Sequence, residues 1–154
     1  MQLNLFNKIL GSGFYTGYIP FASGTFGSLA ALIIYYIPGF EKPAIIIPVI
    51  IIFSIYGIYA GTQFEKVYGK DPSQCTIDEM VGMWISLLFL PKVIWVSAII
   101  FAFWRLFDII KPFPARRLEK LKGGLGIMID DIISSFYVLL IVHLFILIYS
   151  SVLS

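Results

Sequence analysis

The chain is dominated by charge-free apolar runs, which cover residues 26–40, 43–64, 80–91, 93–104 and 132–154. Runs 43–64 and 132–154 exceed the roughly 20 residues that a helix needs to cross a hydrocarbon core of about 30 Å. The other three runs are shorter and reach that length only if their helices continue into the flanking polar residues. The pattern therefore predicts an all-α, polytopic membrane bundle of about five helices, some short or broken, in one domain over residues 1–154.

The ends of the short runs carry charge. If the helices continue, Asp78 and Glu79 begin one helix, and the segment 105–111 ends another. Ionisable residues near membrane depth usually face a polar cavity or one another, so they are candidates for a functional site. The alternative is that these segments stop at the membrane interface.

Basic residues predict the orientation. With a cytoplasmic N-terminus, the segments 1–25, 65–79 and 105–126 hold nine of the eleven Lys and Arg residues, and only Lys42 and Lys92 lie outside. Eight of the nine acids, all but Glu41, fall on the same inner side. Because acids do not set topology, their clustering indicates a site at the cytoplasmic face of a bacterial inner membrane. Residues 1–24 show no signal peptide, so we expect insertion through the internal segments.

Composition excludes several classes of protein. The chain is 59% hydrophobic and 13% charged, with a mean hydropathy of +0.92, far more apolar than a typical soluble domain. A net charge of +2 argues against nucleic-acid binding. The single cysteine, Cys75, excludes an intramolecular disulfide and is expected to pack as a small apolar residue. The single histidine, His143, lies in an apolar run and is interpreted as structural. No second histidine lies near the acids to form a zinc site or a Ser-His-Asp triad.

Two polar motifs open apolar segments. Gly24, Thr25 and Ser28 stand where a glycine-rich helix start can bind an anion, although capping by Ser23 or Thr25 is the simpler explanation. Further along, Asp78 and Glu79 follow Thr76, so the pattern fits either a capping box or a metal site.

Two more motifs lie in the second half of the chain. Arg105, Asp108 and Lys111 recur in steps of three along one helix stripe, which Pro112 then ends; a surface ion-pair ladder or a lipid-headgroup anchor would look similar. A glycine turn at 123–126 leads into a helix with Asp130 and Asp131, whose alternative explanation is an acid-capped helix.

Together these segments predict a mixed acidic and basic site. The candidate catalytic acids are Asp78, Glu79, Asp108, Asp130 and Asp131, and the candidate metal ligands are Asp78, Glu79, Asp130 and Asp131. The candidate substrate-binding residues are Thr25, Ser28, Arg105, Lys111, Arg116 and Arg117. Clustered carboxylates repel one another unless a cation lies among them, and Mg²⁺ prefers oxygen ligands, while a basic rim suits phosphate.

These motifs resemble the phosphatidylglycerophosphatase A family over nearly the whole chain. The matching pieces are the residues 24–28, Ile77-Asp78-Glu79 with Gly82, the run 103–114 and the run 123–131. The sequence departs from the family at Ser23, where proline is frequent, and at Ser134 and Ser135, where Ala-Gly is common. The resemblance implies an Mg²⁺-dependent lipid phosphatase that converts phosphatidylglycerophosphate, an anionic membrane phospholipid, to phosphatidylglycerol.

The attacking group stays open at this point. Neither a Cys-x5-Arg loop nor an Asp-x-Asp phosphatase signature is present, which leaves Mg²⁺-activated water or a carboxylate nucleophile. We favour water, with one carboxylate as general base and with Arg105 and Lys111 stabilising developing charge. A transporter or a non-catalytic lipid-binding protein is the rival, weakened by the lack of repeated halves; no obligate protein partner is evident.

Overall fold

Helices form nearly the whole described chain. The computed structural model describes residues 2–153, with side chains described for residues 2–149, so the last residue of the predicted run 132–154 lies outside the described residues. In order, the elements are α1 (Leu5–Gly11), a 3-10 turn (Thr16–Tyr18), α2 (Ser23–Tyr35), α3 (Pro43–Tyr68), α4 (Ile77–Ser86), α5 (Ile94–Ile110), α6 (Ala115–Leu118) and α7 (Gly124–Leu153). Residues 2–153 contain no strand, which confirms the all-α prediction.

Two helices are long and apolar enough to cross a membrane, namely Pro43–Tyr68 in α3 and Gly124–Tyr149 in α7. Only 28% and 17% of their most apolar windows are buried, whereas the core helix of a soluble protein is mostly buried. Such exposed apolar surface favours contact with lipid. The other predicted runs lie in α2, α4 and α5, which have 13, 10 and 17 residues, so the number of about five membrane helices stays a prediction.

The two short helices do continue into the charged residues. Helix α4 begins at Ile77 and carries Asp78 and Glu79 in its first turn. Helix α5 includes Arg105 and Asp108 and ends at Ile110, because Lys111 adopts a left-handed φ of 47° and a proline follows it. The predicted continuation of both helices into polar sequence is confirmed.

Helix α4 lies at the centre of the fold, packed against α2, α3, α5 and α7. All its residues except Glu79 are buried, as expected for a helix that is hydrophobic on every side. Trp84 Nε1 donates to the Ala31 carbonyl at 2.9 Å, and the absence of a side chain at Gly82 leaves room for the Trp104 ring. This packing carries the first turn of α4, and with it Asp78 and Glu79, into the protein interior.

An ion pair lies near the C-terminal end of α2 and the N-terminal end of α5. Lys92 Nζ lies 2.7 Å from Glu41 Oε2 and also donates to the Ile37 carbonyl at 3.0 Å. The loops that follow α2 and α4 therefore meet at one end of the bundle, while the remaining acids of the sequence lie toward the other.

Candidate active site

A polar cleft of about 390 Å³ opens where α2 and α4 begin and α5 ends. Because these helix ends and one turn of α7 converge, side chains distant in sequence meet there. The polar residues that line the cleft are Ser23, Asp71, Ser73, Asp78, Glu79, Arg105, Asp108, Lys111 and Asp131, with Gly24 beside them.

Three carboxylates form the acidic centre of the cleft. Asp78, Glu79 and Asp131 each offer an oxygen, and these three oxygens lie within 4.8 Å of one another. Asp78 is 7% exposed and Asp131 is 2% exposed. Asp78 Oδ1, Glu79 Oε2 and Asp131 Oδ2 have no hydrogen-bond partner among the described residues. Buried carboxylate oxygens without partners are costly, so this cluster is built to receive a cation or a proton.

Arg105 borders the acidic cluster and is held by two neighbours. Its Nη1 lies 2.7 Å from Asp108 Oδ2 and 3.4 Å from Ser28 Oγ. Ser28 Oγ in turn accepts a hydrogen bond of 3.0 Å from Trp104 Nε1. Arg105 Nε is buried and unpaired among the described groups, which leaves one donor free for an anion.

Lys111 forms the second cation of the site. Its Nζ lies 2.5 Å from Asp130 Oδ2 and 3.9 Å from Glu119 Oε2. Burial opposes the charge of this lysine, but the Asp130 carboxylate outweighs burial and raises the pKa of Lys111 above its usual value. Asp130 is thus neutralised by a lysine, and it does not belong to the three-acid cluster, although the sequence had placed it among the metal ligands.

The start of α2 approaches the acids closely. A Cβ added at Gly24 would overlap Glu79 Oε1 and lie 2.9 Å from Arg105 Nη2, so the backbone can come this near only without a side chain. The capping residue is Ala22, and neither Ser23 nor Thr25 caps the helix. The capping explanation of this motif is wrong, and close approach explains the glycine.

The structure also contradicts the capping explanations of the two acidic motifs, Asp78-Glu79 and Asp130-Asp131. The Thr76 side chain does not cap α4; its hydroxyl instead pairs with Thr16 Oγ1 at 3.0 Å. Helix α7 begins at Gly124, so Asp130 and Asp131 lie beyond its first turn and are not acids at a helix start.

Four of the six predicted substrate-binding residues do not line the cleft: Thr25, Ser28, Arg116 and Arg117. Ser28 is fully buried and contacts the cleft residue Arg105. Thr25 lies on α2 next to Gly24 but is absent from the cleft wall. The guanidinium of Arg117 stacks on the Phe113 ring, 4.9 Å from its centroid. Arg116 lines a separate, neighbouring cleft together with Lys111 and Glu119. Consecutive residues on the short helix α6 point in different directions, so a run of basic residues need not act together.

Asp71 is a cleft residue that the motif analysis overlooked. It lies in the loop between α3 and α4 and has a left-handed φ of 48°. Desolvation raises the pKa of its carboxyl, against the opposing effect of Lys111. Its signal in the sequence is a turn-forming Gly-Lys-Asp-Pro-Ser stretch just before the paired acids.

Cys75 is buried as predicted, although it also lines the cleft, and the structural interpretation of His143 stays a prediction. Cys75 is buried and free, and burial raises the pKa of its thiol, with Glu79 adding to the effect. His143 Nδ1 pairs with the Leu139 carbonyl at 2.8 Å within α7.

Most of the chain is similar in sequence to known proteins. The profile of the family described as phosphatidylglycerophosphatase A matches residues 9–146. The chain is 37% identical over 129 residues to "Phosphatidylglycerophosphatase A" of Escherichia coli, covering 82% of this chain and 75% of that protein. It is 36% identical over 151 residues to the protein of the same name in Haemophilus influenzae, covering 92% and 90%.

A third relative carries a different name. A Bacteroides thetaiotaomicron protein named "Putative phosphatidylinositol-3-phosphatase" is 39% identical over 137 residues, covering 84% of this chain and 86% of its own length. Both names describe hydrolysis of a phosphate monoester on a lipid. No solved structure matches the chain significantly.

Proposed function

Since the chain belongs to the phosphatidylglycerophosphatase A family, we propose that it removes the terminal phosphate of phosphatidylglycerophosphate and yields phosphatidylglycerol and inorganic phosphate. It is a phosphoric monoester hydrolase of the membrane. The observation that carries the substrate proposal is a buried carboxylate cluster beside Arg105, in a cleft of a protein with two exposed, membrane-length apolar helices. Hydrolase activity disfavours the transporter alternative.

The acidic cluster fits Mg²⁺ as its cation. Asp78, Glu79 and Asp131 supply only oxygen ligands, which this hard ion prefers, and each has a buried oxygen without a partner. We assign these three residues as its ligands and leave out Asp130, because it lies outside the cluster and its Oδ2 pairs with Lys111. When bound, Mg²⁺ supplies positive charge that polarises the phosphate and activates water.

Arg105 is the group we expect to hold the phosphate. Its unpaired Nε–H can donate a hydrogen bond to a phosphate oxygen, while Asp108 and Ser28 fix the plane of the guanidinium. A guanidinium held in this way needs little reorganisation as charge develops on the transferring phosphoryl group. Lys111, held by Asp130, adds positive charge on the same side of the cleft.

A carboxylate of the cleft can also transfer the proton of the attacking water to the leaving oxygen. As the water oxygen bonds to phosphorus, a cleft carboxylate accepts the water proton, and the bond from phosphorus to the glycerol oxygen breaks. The same carboxyl can return that proton to the leaving oxygen, so the products are a neutral alcohol and phosphate.

We further propose a multi-pass protein of the bacterial inner membrane with the cleft toward the cytoplasm. The basic residues support this orientation, because nine of the eleven belong to the segments 1–25, 65–79 and 105–126, which also supply most of the cleft residues. The two outer lysines, Lys42 and Lys92, belong to the loops that meet at the end of α2 and α5 remote from Arg105.

Phosphate release by purified protein in detergent micelles tests the function. Phosphatidylglycerophosphate should be hydrolysed, EDTA should abolish turnover, and Mg²⁺ should restore it. Phosphatidylinositol 3-phosphate serves as the competing substrate, because one relative is named for it. Faster hydrolysis of that lipid would overturn the proposed substrate, and turnover unaffected by EDTA would overturn the proposed metal.

Asp131→Asn tests the metal site independently of activity. Mg²⁺ should raise the unfolding temperature of the wild-type protein, since a ligand that binds the folded state stabilises it. That shift should vanish in Asp131→Asn and persist in Glu41→Gln, the same chemical change at the opposite end of the bundle. An equal Mg²⁺ shift in wild type and Asp131→Asn would remove Asp131 from the ligand set.

A further inference from the structure

A second, apolar groove runs between α2 and α5, on the same two helices that form part of the cleft. It has a volume of about 330 Å³. Its wall consists of Leu29, Leu32 and Ile33 from α2 and of Ile94, Ser97 and Ala98 from α5. The hydroxyl of Ser97 pairs with that of Tyr36 at 2.9 Å, so the polar group in the wall already has a partner. The groove therefore suits a hydrocarbon occupant.

The groove and the cleft lie along one seam between the helices. On α5, Ala98 precedes Arg105 by seven residues, a spacing that places both on one face. On α2, Leu32 follows Ser28 by four residues, which does the same. Arg105 and Ser28 meet at 3.4 Å at the cleft end of this seam. On each helix, therefore, a residue at the polar cleft and a residue of the apolar groove lie on the same face.

The seam is long enough to accommodate much of an acyl chain. Eleven positions separate Ile94 from Arg105, and a rise of 1.5 Å per residue makes this about 16 Å. Lys92, two residues before Ile94, lies at the end of the bundle remote from Arg105, so the seam runs from the cleft toward the opposite end. A lipid headgroup at Arg105 would therefore leave its acyl chain alongside the groove.

We propose that this groove holds an acyl chain of the lipid substrate, and that Ala98 and Ile33 therefore set the preference for chain length. The proposal rests on the lipid phosphatase function proposed above. A larger apolar groove of about 480 Å³ lies between α5 and α7 and includes Ile99 in its wall, but no residue of α2 lines it, so it does not lie on the seam between α2 and α5. It serves as the comparison site.

Filling the groove tests the proposal. Ala98→Trp and Ile33→Trp each place an indole in the groove from a different helix, and both positions are exposed, so the fold should accept them. Ile99→Trp makes the same addition next to Ala98 but in the comparison groove. The kcat/KM values are measured with dioleoyl and dihexanoyl phosphatidylglycerophosphate, which share a headgroup and differ in the length of their acyl chains.

The ratio of kcat/KM for the long-chain to the short-chain substrate should fall about tenfold in both groove variants. Displacing two buried methylene groups accounts for this size, since each contributes about a factor of four. The ratio should be unchanged in Ile99→Trp. Turnover of the short-chain lipid shows that each variant is folded.

Two results would overturn the acyl-chain proposal. One is an unchanged ratio in Ala98→Trp and Ile33→Trp, which would mean that the groove holds bulk lipid only. The other is an equal fall in Ile99→Trp, which would mean that any bulky residue on α5 disturbs long-chain substrates. Failure of the wild-type protein to release phosphate from either lipid would instead refute the proposed function, so the two failures are distinguishable.

Discussion

Replacing Gly24 by alanine tests the close packing of α2 against Glu79 and Arg105. The new Cβ would overlap Glu79 Oε1 and lie 2.9 Å from Arg105 Nη2, closer than the 3.0 Å that real Cβ contacts respect. Gly24 lies in the first turn of α2, where its backbone is already helical. The substitution therefore leaves the helix intact and acts on the two side chains opposite it.

The expected size of the effect follows from this overlap. Relief requires Glu79 and Arg105 to move by roughly 1 Å, and a displacement of that size in a catalytic site can cost about 10²-fold in rate. Alanine is favoured over glycine in a helix by up to about 1 kcal/mol, so helix propensity will not lower stability. We expect kcat/KM to fall by about two orders of magnitude with little change in the unfolding temperature.

Phosphate release from phosphatidylglycerophosphate and thermal unfolding in the same detergent measure the two quantities. Gly82→Ala is the matched control, because its Cβ would overlap the Trp104 ring in the core and should lower the unfolding temperature. If Gly24→Ala keeps its activity within about threefold of wild type, the close approach of α2 does not position Glu79 and Arg105, and the reasoning from this contact is refuted.

Three further variants probe separate parts of the molecule. Ser28→Ala removes the buried acceptor of Trp104 Nε1 and should destabilise the fold by about 1–3 kcal/mol in denaturation experiments; an unchanged stability would contradict a structural role for this bond. Lys92→Met breaks the ion pair with Glu41, whose side chains are 20% and 35% exposed, so it should cost at most about 1 kcal/mol and leave phosphate release unchanged; lost activity would contradict a role remote from the site. Asp71→Asn should raise the unfolding temperature at pH 7, because the raised pKa means that the charged carboxylate destabilises the fold; the gain should vanish near pH 4, about the unfolded pKa, and a gain equal at both pH values would contradict this origin.

Local sequence determined the helices and several of their ends. Charge-free runs marked the two long helices, since a continuous apolar segment has few other ways to satisfy its backbone in lipid. Pro112 marked the end of α5, because proline restricts the residue before it. The paired acids were also visible as candidates, because carboxylates beside apolar helices are costly without a purpose.

Tertiary packing alone decided which charges act together. Neighbouring residues on a helix point about 100° apart, so Asp131 faces Asp78 and Glu79 while Asp130 faces Lys111. Which of the two faces which partner depends on how α7 is rotated against α4, and no local pattern encodes that rotation.

Packing between distant segments also explains the other differences between the predicted and the observed site. Asp71, in the loop between α3 and α4, lines the cleft, whereas the Arg117 guanidinium lies over the Phe113 ring outside it. The one-sided charge was readable along the chain, since local sequence determines where charged segments leave the membrane. The separation of the three-carboxylate cluster from the ion pairs of Lys111 is a property of distances between segments, which only the assembled bundle defines.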